Sequence, residues 1–503
     1  MDGKRTGNEN GHGYDRILKS TGIFGFIQVL VLLIGVVRNK IVAVLLGTIG
    51  FGINESYNRS LNLVRSTTDL GLPFSAVRSV SEHREDGRPD KLEESVLVTR
   101  TWAFITAVAG TLVCILLSGV FSLWAFDGDS GYTLSFILLS PAVFFGAVNG
   151  GEMAILKGTG MLRQTAMSQL LTVVITFCIS IPLFYWLGLM GLVPSLVLVS
   201  MAAMLVTCSY SFRTFPYRIR PFSKKVLTEG RKMTKIGINF MITSFFGSGA
   251  FAVIANWMIK NGSAEIAGIY SAGYQLVAWL GMFVFSAMES DFFPRLSSCN
   301  GDNVKVTEMV NSQAEVALLL MSPMVVGFLV FLGLIVNLFL SSKFADAVPM
   351  ASMAVFSLLF KSITQPMSYI ALAKGDSRTF MLQEILYDVF FVAAVILAYK
   401  WGSLAMTGLA LTIAAVFDLI SVGIITGRRY GFRFSGQIMR MLLLQIPVTG
   451  LAFVTVACLD GMWRWIAGCV ILVFSVFISI YLLDRYSDYL SYLRTRIKNR
   501  FDR

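Results

Sequence analysis

The segment GINESYNRSLNLVRSTTDLGLPFSAVRSV, Gly52 to Val80, decides how the rest of the chain is read. It is as long as a membrane span and sits between two plainly apolar segments, yet it carries Glu55, Arg59, Arg65 and Asp69. On a helix at about 100° per residue, Glu55, Arg59, Asn62, Ser66 and Asp69 share one narrow stripe, with Asn58 and Arg65 on its flank. Tyr57, Leu61, Val64, Thr68 and Gly71 take the opposite face. A charged side chain facing lipid at mid-bilayer costs roughly 2.5–3.5 kcal/mol even on the mildest scale, so several on one helix are tolerated only where they meet water. The stripe is therefore expected to line a hydrated cavity within the protein, and that cavity is the expected working part.

Composition fixes the broad class. With 503 residues, 55% hydrophobic and 14% charged, the chain reads as a polytopic membrane protein. Its first twenty or so residues are polar and the apolar run behind them is too long for a signal h-region, so no cleavable leader is expected. Six cysteines at 114, 178, 208, 299, 458 and 469 lack metal-ligand spacing and read as small hydrophobes rather than disulfides or metal ligands. His12 and His83 lie in polar segments and cannot build a His-rich metal site, so no metal or other cofactor is expected. The net charge of +12 raises the question of nucleic acid, but its placement answers otherwise.

Apolar segments fall near 21–46, 96–120, 133–156, 164–186, 188–212, 236–259, 266–290, 312–340, 347–373, 380–399, 402–427, 438–457 and 463–483. The polar-striped 52–77 brings the expected total to about fourteen transmembrane helices. With the amino terminus inside, 33 of the 42 lysines and arginines fall in segments on that side and 4 on the other. This is the positive-inside bias, and it predicts both termini in the cytoplasm. Removing 52–77 from the count puts the later segments on the wrong side. The basic excess is thus an orientation signal, and no nucleic-acid partner is expected. Outer connections are short, leaving no room for a soluble catalytic domain.

The chain is expected to divide into a cytoplasmic segment 1–20, a first lobe 21–212, a basic linker 213–235, a second lobe 236–427, an additional helix pair 438–483 and a basic tail 484–503. LKGTGMLRQ from Leu156 and AKGDSRTFM from Ala373 place Lys157 with Lys374 and Gly158 with Gly375, and Gly191-Leu192 and Gly408-Leu409 keep that offset. Pro73 and Pro294 are each expected to end a helix. The pattern predicts an all-α protein of two six-helix bundles, parallel repeats around a central cavity, plus two carboxy-terminal helices.

Five bases remain inside the spans: Arg38, Lys40, Arg59, Arg65 and Lys361. Arg38 on the outgoing helix and Arg59 on the returning one are expected at similar depth, where paired guanidiniums match phosphate oxygens bidentately. Ser357, Lys361, Gln365 and Ser368 share a face in the second half. Plainer roles stand beside these. Glu55 and Arg59, four residues apart, are spaced to neutralise each other; Lys40 reads as snorkelling to the interface. Glu152, Glu384 and Asp388 read as solvated acids at helix ends, and Asp418 as either a structural partner or a proton or cation site.

The run RNKIVAVLLGTIGFGINESYNRSLNLVRSTTDLGLPFSAVRSV resembles the helix 1–2 region of polysaccharide flippases of the Wzx type, the O-antigen translocases of the multidrug/oligosaccharidyl-lipid/polysaccharide exporter (MOP) superfamily. FFPRL at 292–296, MSPMVVGFLV, KFADAVPM and ALAKGDSRTF extend the resemblance over roughly 18–430. It implies a V-shaped cavity that opens alternately to each side of the bacterial inner membrane. The implied cargo is an undecaprenyl-diphosphate-linked oligosaccharide, moved to the periplasmic leaflet and passed on to polymerase and ligase machinery. By position, Arg38 matches the basic residue late in helix 1, and Arg59, Arg65 and Asp69 match polar cavity positions of helix 2. In this reading Arg38, Arg59, Arg65 and Lys361 hold the diphosphate, while Glu55, Asn62, Ser66, Asp69, Gln365 and Asp418 supply polar contacts or coupling to a proton or sodium gradient. Three alternatives share the features: a lipid II flippase, a drug or cation antiporter with an acidic cavity, and a membrane polysaccharide polymerase, which would need catalytic residues in large outer loops.

Overall fold

A computed structural model describes residues 6–85, 88–126, 128–220, 223–299 and 301–486. The first residues of the expected segment 1–20 and nearly all of the expected tail 484–503 lie outside them. The apolar segments read from the sequence fall on helix, with 96–120 and 347–373 each divided between two helices and 188–212 beginning in a 3-10 turn. Ten helices among the described residues are long and apolar enough to cross a membrane, or eleven counting one bent pair. The protein is an all-α polytopic membrane protein, and its helices form two compact units, Met1–Glu265 and Ile266–Arg503.

The first unit comprises α1 (Thr6–Thr68), α2 (Leu72–Glu85), α3 (Pro89–Leu116), α4 (Ser118–Ala125), α5 (Thr133–Gly158), α6 (Leu162–Leu187), α7 (Leu192–Thr214) and α8 (Lys224–Asn261). The basic linker 213–235 lies within this unit. At 1.5 Å per residue, the 63 residues of α1 far exceed a bilayer core. They form two helical arms meeting at Gly47, whose φ of 65° and ψ of −169° are non-helical and open only to glycine at low energy. The second arm is the polar-striped segment.

That arm stops at Thr68, short of the expected 77. Asp69 Oδ1 accepts the Gly71 N–H at 2.9 Å, and Leu70 and Gly71 both turn left-handed, at φ 54° and 66°. Two consecutive residues in that region cannot continue a right-handed helix. The break also lets backbone meet backbone: a Cβ on Gly71 would overlap the carbonyl oxygen of Gly237 in α8. Pro73 accordingly lies in the first turn of α2, where a missing N–H costs nothing, rather than ending a helix.

The second unit holds α9 (Ala264–Ser298, beginning at the boundary), α10 (Asn303–Phe339), α11 (Ala347–Ala354), α12 (Ser357–Ala373), α13 (Ser377–Trp401), α14 (Leu404–Tyr430), α15 (Gly436–Cys458) and α16 (Gly461–Tyr486). α9 runs past Pro294 to Ser298. α11 and α12 meet at 43° and make the bent pair. The additional helices α15 and α16 pack on α10 and on each other.

The two units repeat one packing order. α3 packs on α5, α5 on α7 and α7 on α6; α10 packs on α12, α12 on α14 and α14 on α13. The residue register of the repeat differs from the one expected. α5 and α12 close with the same hydrogen bonds, Gly160 N–H to Lys157 O and Met161 N–H to Leu156 O in one, Gly375 N–H to Leu372 O and Asp376 N–H to Ala371 O in the other. Gly160 and Gly375, at φ 68° and 72°, are thus the equivalent pair, and Gly158 is helical. The Lys-Gly match is displaced by two residues because the left-handed cap, not the lysine, marks the helix end. Likewise Gly191 precedes α7 whereas Gly408 lies inside α14, against the backbone of Met350.

Candidate functional site

Across the break at Gly47, the two arms of α1 bring ionisable groups within reach of one another. Glu55 lies within electrostatic reach of both Arg38 and Arg59. Arg38 Nε donates to Ser180 Oγ in α6 at 3.1 Å. Arg59 Nε stands 3.9 Å from Glu55 Oε2, Nη1 donates to the Phe251 carbonyl of α8 at 3.0 Å, and the guanidinium lies 5.5 Å from the Phe251 ring centre. Side-chain exposures of 11% for Arg59 and 24% for Glu55 leave both partly open. Two guanidiniums against one carboxylate give this cluster a net positive charge.

Arg59 also borders a small, open recess between α1, α4 and α8. Ser56 and Ser60 belong to the same face of α1, Trp124 comes from α4, and α8 contributes the short side chains Ala252 and Ala255 beside Asn256. Sequence reading singled out none of these except Arg59. The signal was Ser56 one turn before Arg59 and Ser60 one turn after Ser56; the contributions of α4 and α8 required the fold.

The rest of the stripe disperses. Arg65 turns toward α5 and α7: Nη2 donates to the Ala142 carbonyl and, at 3.4 Å, to Ser200 Oγ, and the guanidinium lies on Gly146, where a Cβ would collide with it. Its Nε is buried without a hydrogen-bond partner among the described residues. Asn62 is exposed. Ser66 is buried and bonds the Leu63 carbonyl of its own helix at 3.0 Å. Asp69 serves the turn after Thr68.

In the second unit Lys361 Nζ is 3.5 Å from Asp418 Oδ2 and 3.5 Å from the centre of the Tyr387 ring. Glu384 and Asp388 also lie within electrostatic reach of Lys361 and Asp418, so acids outnumber the base there. Gln365, one turn along α12, donates to Tyr369 Oη at 3.4 Å. Asp388 is buried rather than solvated at a helix end.

Arg100 counted as a loop charge in the sequence and Glu152 as a solvated acid; both are buried. At 2% exposure each, they form a bidentate pair, Nε to Oε1 at 2.7 Å and Nη2 to Oε2 at 3.1 Å. Arg100 also donates to the Pro216 carbonyl and to Ser211 Oγ, and its guanidinium lies 4.9 Å from the Phe212 ring centre. It ties α3, α5 and α7 to the start of the linker. No group of three or more potential metal ligands occurs among the described residues.

Solved structures share this fold. A lipid II flippase, MurJ, in an inward closed conformation superposes with a TM-score of 0.70 at 13% identity, covering 93% of this chain and 99% of that one. An inward-facing multidrug resistance MATE family transporter gives 0.68 at 13% identity, covering 82% and 96%. A MOP superfamily transporter from Pyrococcus furiosus gives 0.61 at 13%, covering 82% and 96%. No curated protein sequence matches significantly. The chain belongs to the polysaccharide biosynthesis protein family, whose model matches residues 17–300.

Proposed function

We propose that this protein is a flippase that carries an undecaprenyl-diphosphate-linked oligosaccharide, an O-antigen or capsule repeat unit, from the cytoplasmic to the periplasmic leaflet of the inner membrane by alternating access. The observation that carries this reading is the convergence of Arg38 and Arg59 on one carboxylate, Glu55, in a chain of the polysaccharide biosynthesis family. A diphosphate crosses an apolar layer only if its charge is met on the way, because ions without partners are strongly excluded from it. Arg38 and Arg59 are the headgroup ligands in this reading. Arg65, committed to α5 and α7, contributes positive potential rather than contacts. Lys361, matched by Asp418, belongs with the acids of the second unit, where exchange of a proton or sodium ion would couple transport to the membrane potential.

A lipid II cargo is the second reading, favoured by the coverage of 93% of this chain by MurJ. The test is complementation of a strain lacking its own O-antigen flippase, and separately of one depleted of its lipid II flippase. Restored surface glycan in the first with no rescue of the second supports the proposal. Rescue of the second alone, or loss of neither glycan nor viability in the double Arg38→Ala, Arg59→Ala protein at wild-type abundance, sinks it.

A further inference from the structure

One hydroxyl of the recess between α1, α4 and α8 is unanswered by the protein. Ser56 is 5% exposed, it lines the recess, and its Oγ has no hydrogen-bond partner among the described residues. Buried hydroxyls in folded proteins are nearly always met by a neighbouring group, a water or a ligand. The groups around it are suited to one kind of ligand. Ser60 Oγ donates to the Ser56 carbonyl at 2.9 Å, which leaves its lone pairs directed elsewhere. Asn256 offers both a donor and an acceptor, and Trp124 an indole surface that is half-buried.

Charge and size narrow the choice. Among the described residues Arg59 is the one charged residue lining the recess; Glu55 stands 3.9 Å from its Nε, and its Nη1 donates to the Phe251 carbonyl. Within the recess Arg59 is thus offset by Glu55, and the second proposed headgroup ligand, Arg38, is not among its lining residues. The recess takes about one hydroxyl-sized group and is open on one side, with the half-buried Trp124 in its lining.

We infer that the recess is a sugar subsite: it receives the hydroxyl-bearing edge of one neutral sugar ring, with Ser56 Oγ and the Asn256 carboxamide bonding hydroxyls and Trp124 lying along the ring's apolar side. This rests on the proposed lipid-linked oligosaccharide cargo and adds where the glycan is distinguished from its carrier. It makes Ser56, Trp124 and Asn256 specificity-determining, with Arg38 and Arg59 serving the diphosphate.

The test compares affinities of the full-length protein in nanodiscs for bare undecaprenyl diphosphate and for the same carrier bearing one N-acetylglucosamine or one galactose. Wild type is expected to prefer at least one glycosylated carrier by about five- to tenfold, the effect of one or two hydrogen bonds. Ser56→Ala and Trp124→Ala should each bring that ratio to within about twofold, and Trp124→Phe should keep part of it, since a smaller aromatic face remains. The ratio is taken within each variant, so lost folded protein cancels. If wild type binds neither carrier, the flippase reading itself fails. If wild type binds bare and glycosylated carriers equally, as a recess serving only a buried water would, or if Ser56→Ala and Trp124→Ala keep the full preference, the subsite is overturned while the flippase reading stands.

Discussion

Individual charges in this protein divide into fully buried pairs and partly exposed groups that the proposed function assigns to the headgroup. Arg100 and Glu152 are of the first kind, with their hydrogen bonds filled by each other, by Ser211 and by the Pro216 carbonyl. Removing one partner strands a buried charge, so Arg100→Ala or Glu152→Ala should destabilise by about 3–5 kcal/mol. Replacing both with apolar residues should cost much less. Thermal unfolding of the purified protein checks this, and equal losses for single and double variants would contradict it. Arg38 and Arg59 are of the second kind. Each arginine-to-alanine change should lower glycan export at least tenfold without a comparable loss of protein, and lysine should restore part of it, because an ammonium supplies charge but not the planar fork. Export assayed alongside protein abundance separates the two effects.

At the level of elements, three turns set where the helices stop. Gly47 and Gly71 are both left-handed, but their surroundings differ: a Cβ at Gly47 meets nothing within 4 Å, whereas one at Gly71 overlaps Gly237. Gly47→Ala should therefore carry backbone strain alone, about 1 kcal/mol, and Gly71→Ala at least about 2 kcal/mol more as α2 is pushed from α8. Similar unfolding temperatures for both would refute the close approach. The turn before α13 is held by Asp376, which accepts from Thr379 N–H at 3.1 Å and Oγ1 at 2.9 Å, from Tyr430 Oη at 2.9 Å, and pairs with Arg429 at 2.7 Å. Burial pushes this carboxyl up, but the hydrogen bonds and Arg429 outweigh it and hold it below the ordinary 3.8. Its stabilisation is complete above that ordinary value and is lost as pH falls through the lower folded one. Unfolding temperature should thus be insensitive to Asp376 ionisation from pH 7 to 5 and fall only in stronger acid. Asp376→Ala should cost about 1 kcal/mol at neutral pH, chiefly through the lost cap, since the exposed Arg429 adds little.

For the whole molecule, the lopsided basic charge makes the orientation testable. In a protein stripped of its native cysteines, Asp129→Cys should react with a membrane-impermeant maleimide in intact cells, and Lys225→Cys only after permeabilisation. The reverse pattern would invert the direction of transport. The repeated packing order of α3, α5, α7 and α6 in α10, α12, α14 and α13 persists although the chemistry of the two units differs: arginines predominate in the first, acids around Lys361 in the second. Lys361, expected among the diphosphate ligands, has Asp418 Oδ2 3.5 Å from its Nζ, and Asp418 is thereby the structural partner that was one of its two expected roles.

What the sequence alone determined was the class of protein and the course of its helices, because apolar length and charge asymmetry act along the chain and need no partner to be read. It also marked the segment from Glu55 to Asp69 as unfit for lipid. The tertiary structure decided which of those residues work together. Helical spacing placed Arg59 and Asp69 on one stripe, but left-handed backbone at Leu70 and Gly71 ended the helix and spent Asp69 on a turn. Arg65 went to the carbonyl of Ala142 and Arg100 to Glu152, while Trp124 and Asn256 arrived beside Ser56 from distant helices. Those assignments depend on contacts between helices far apart in sequence, and a periodicity computed along one helix carries no information about what faces it.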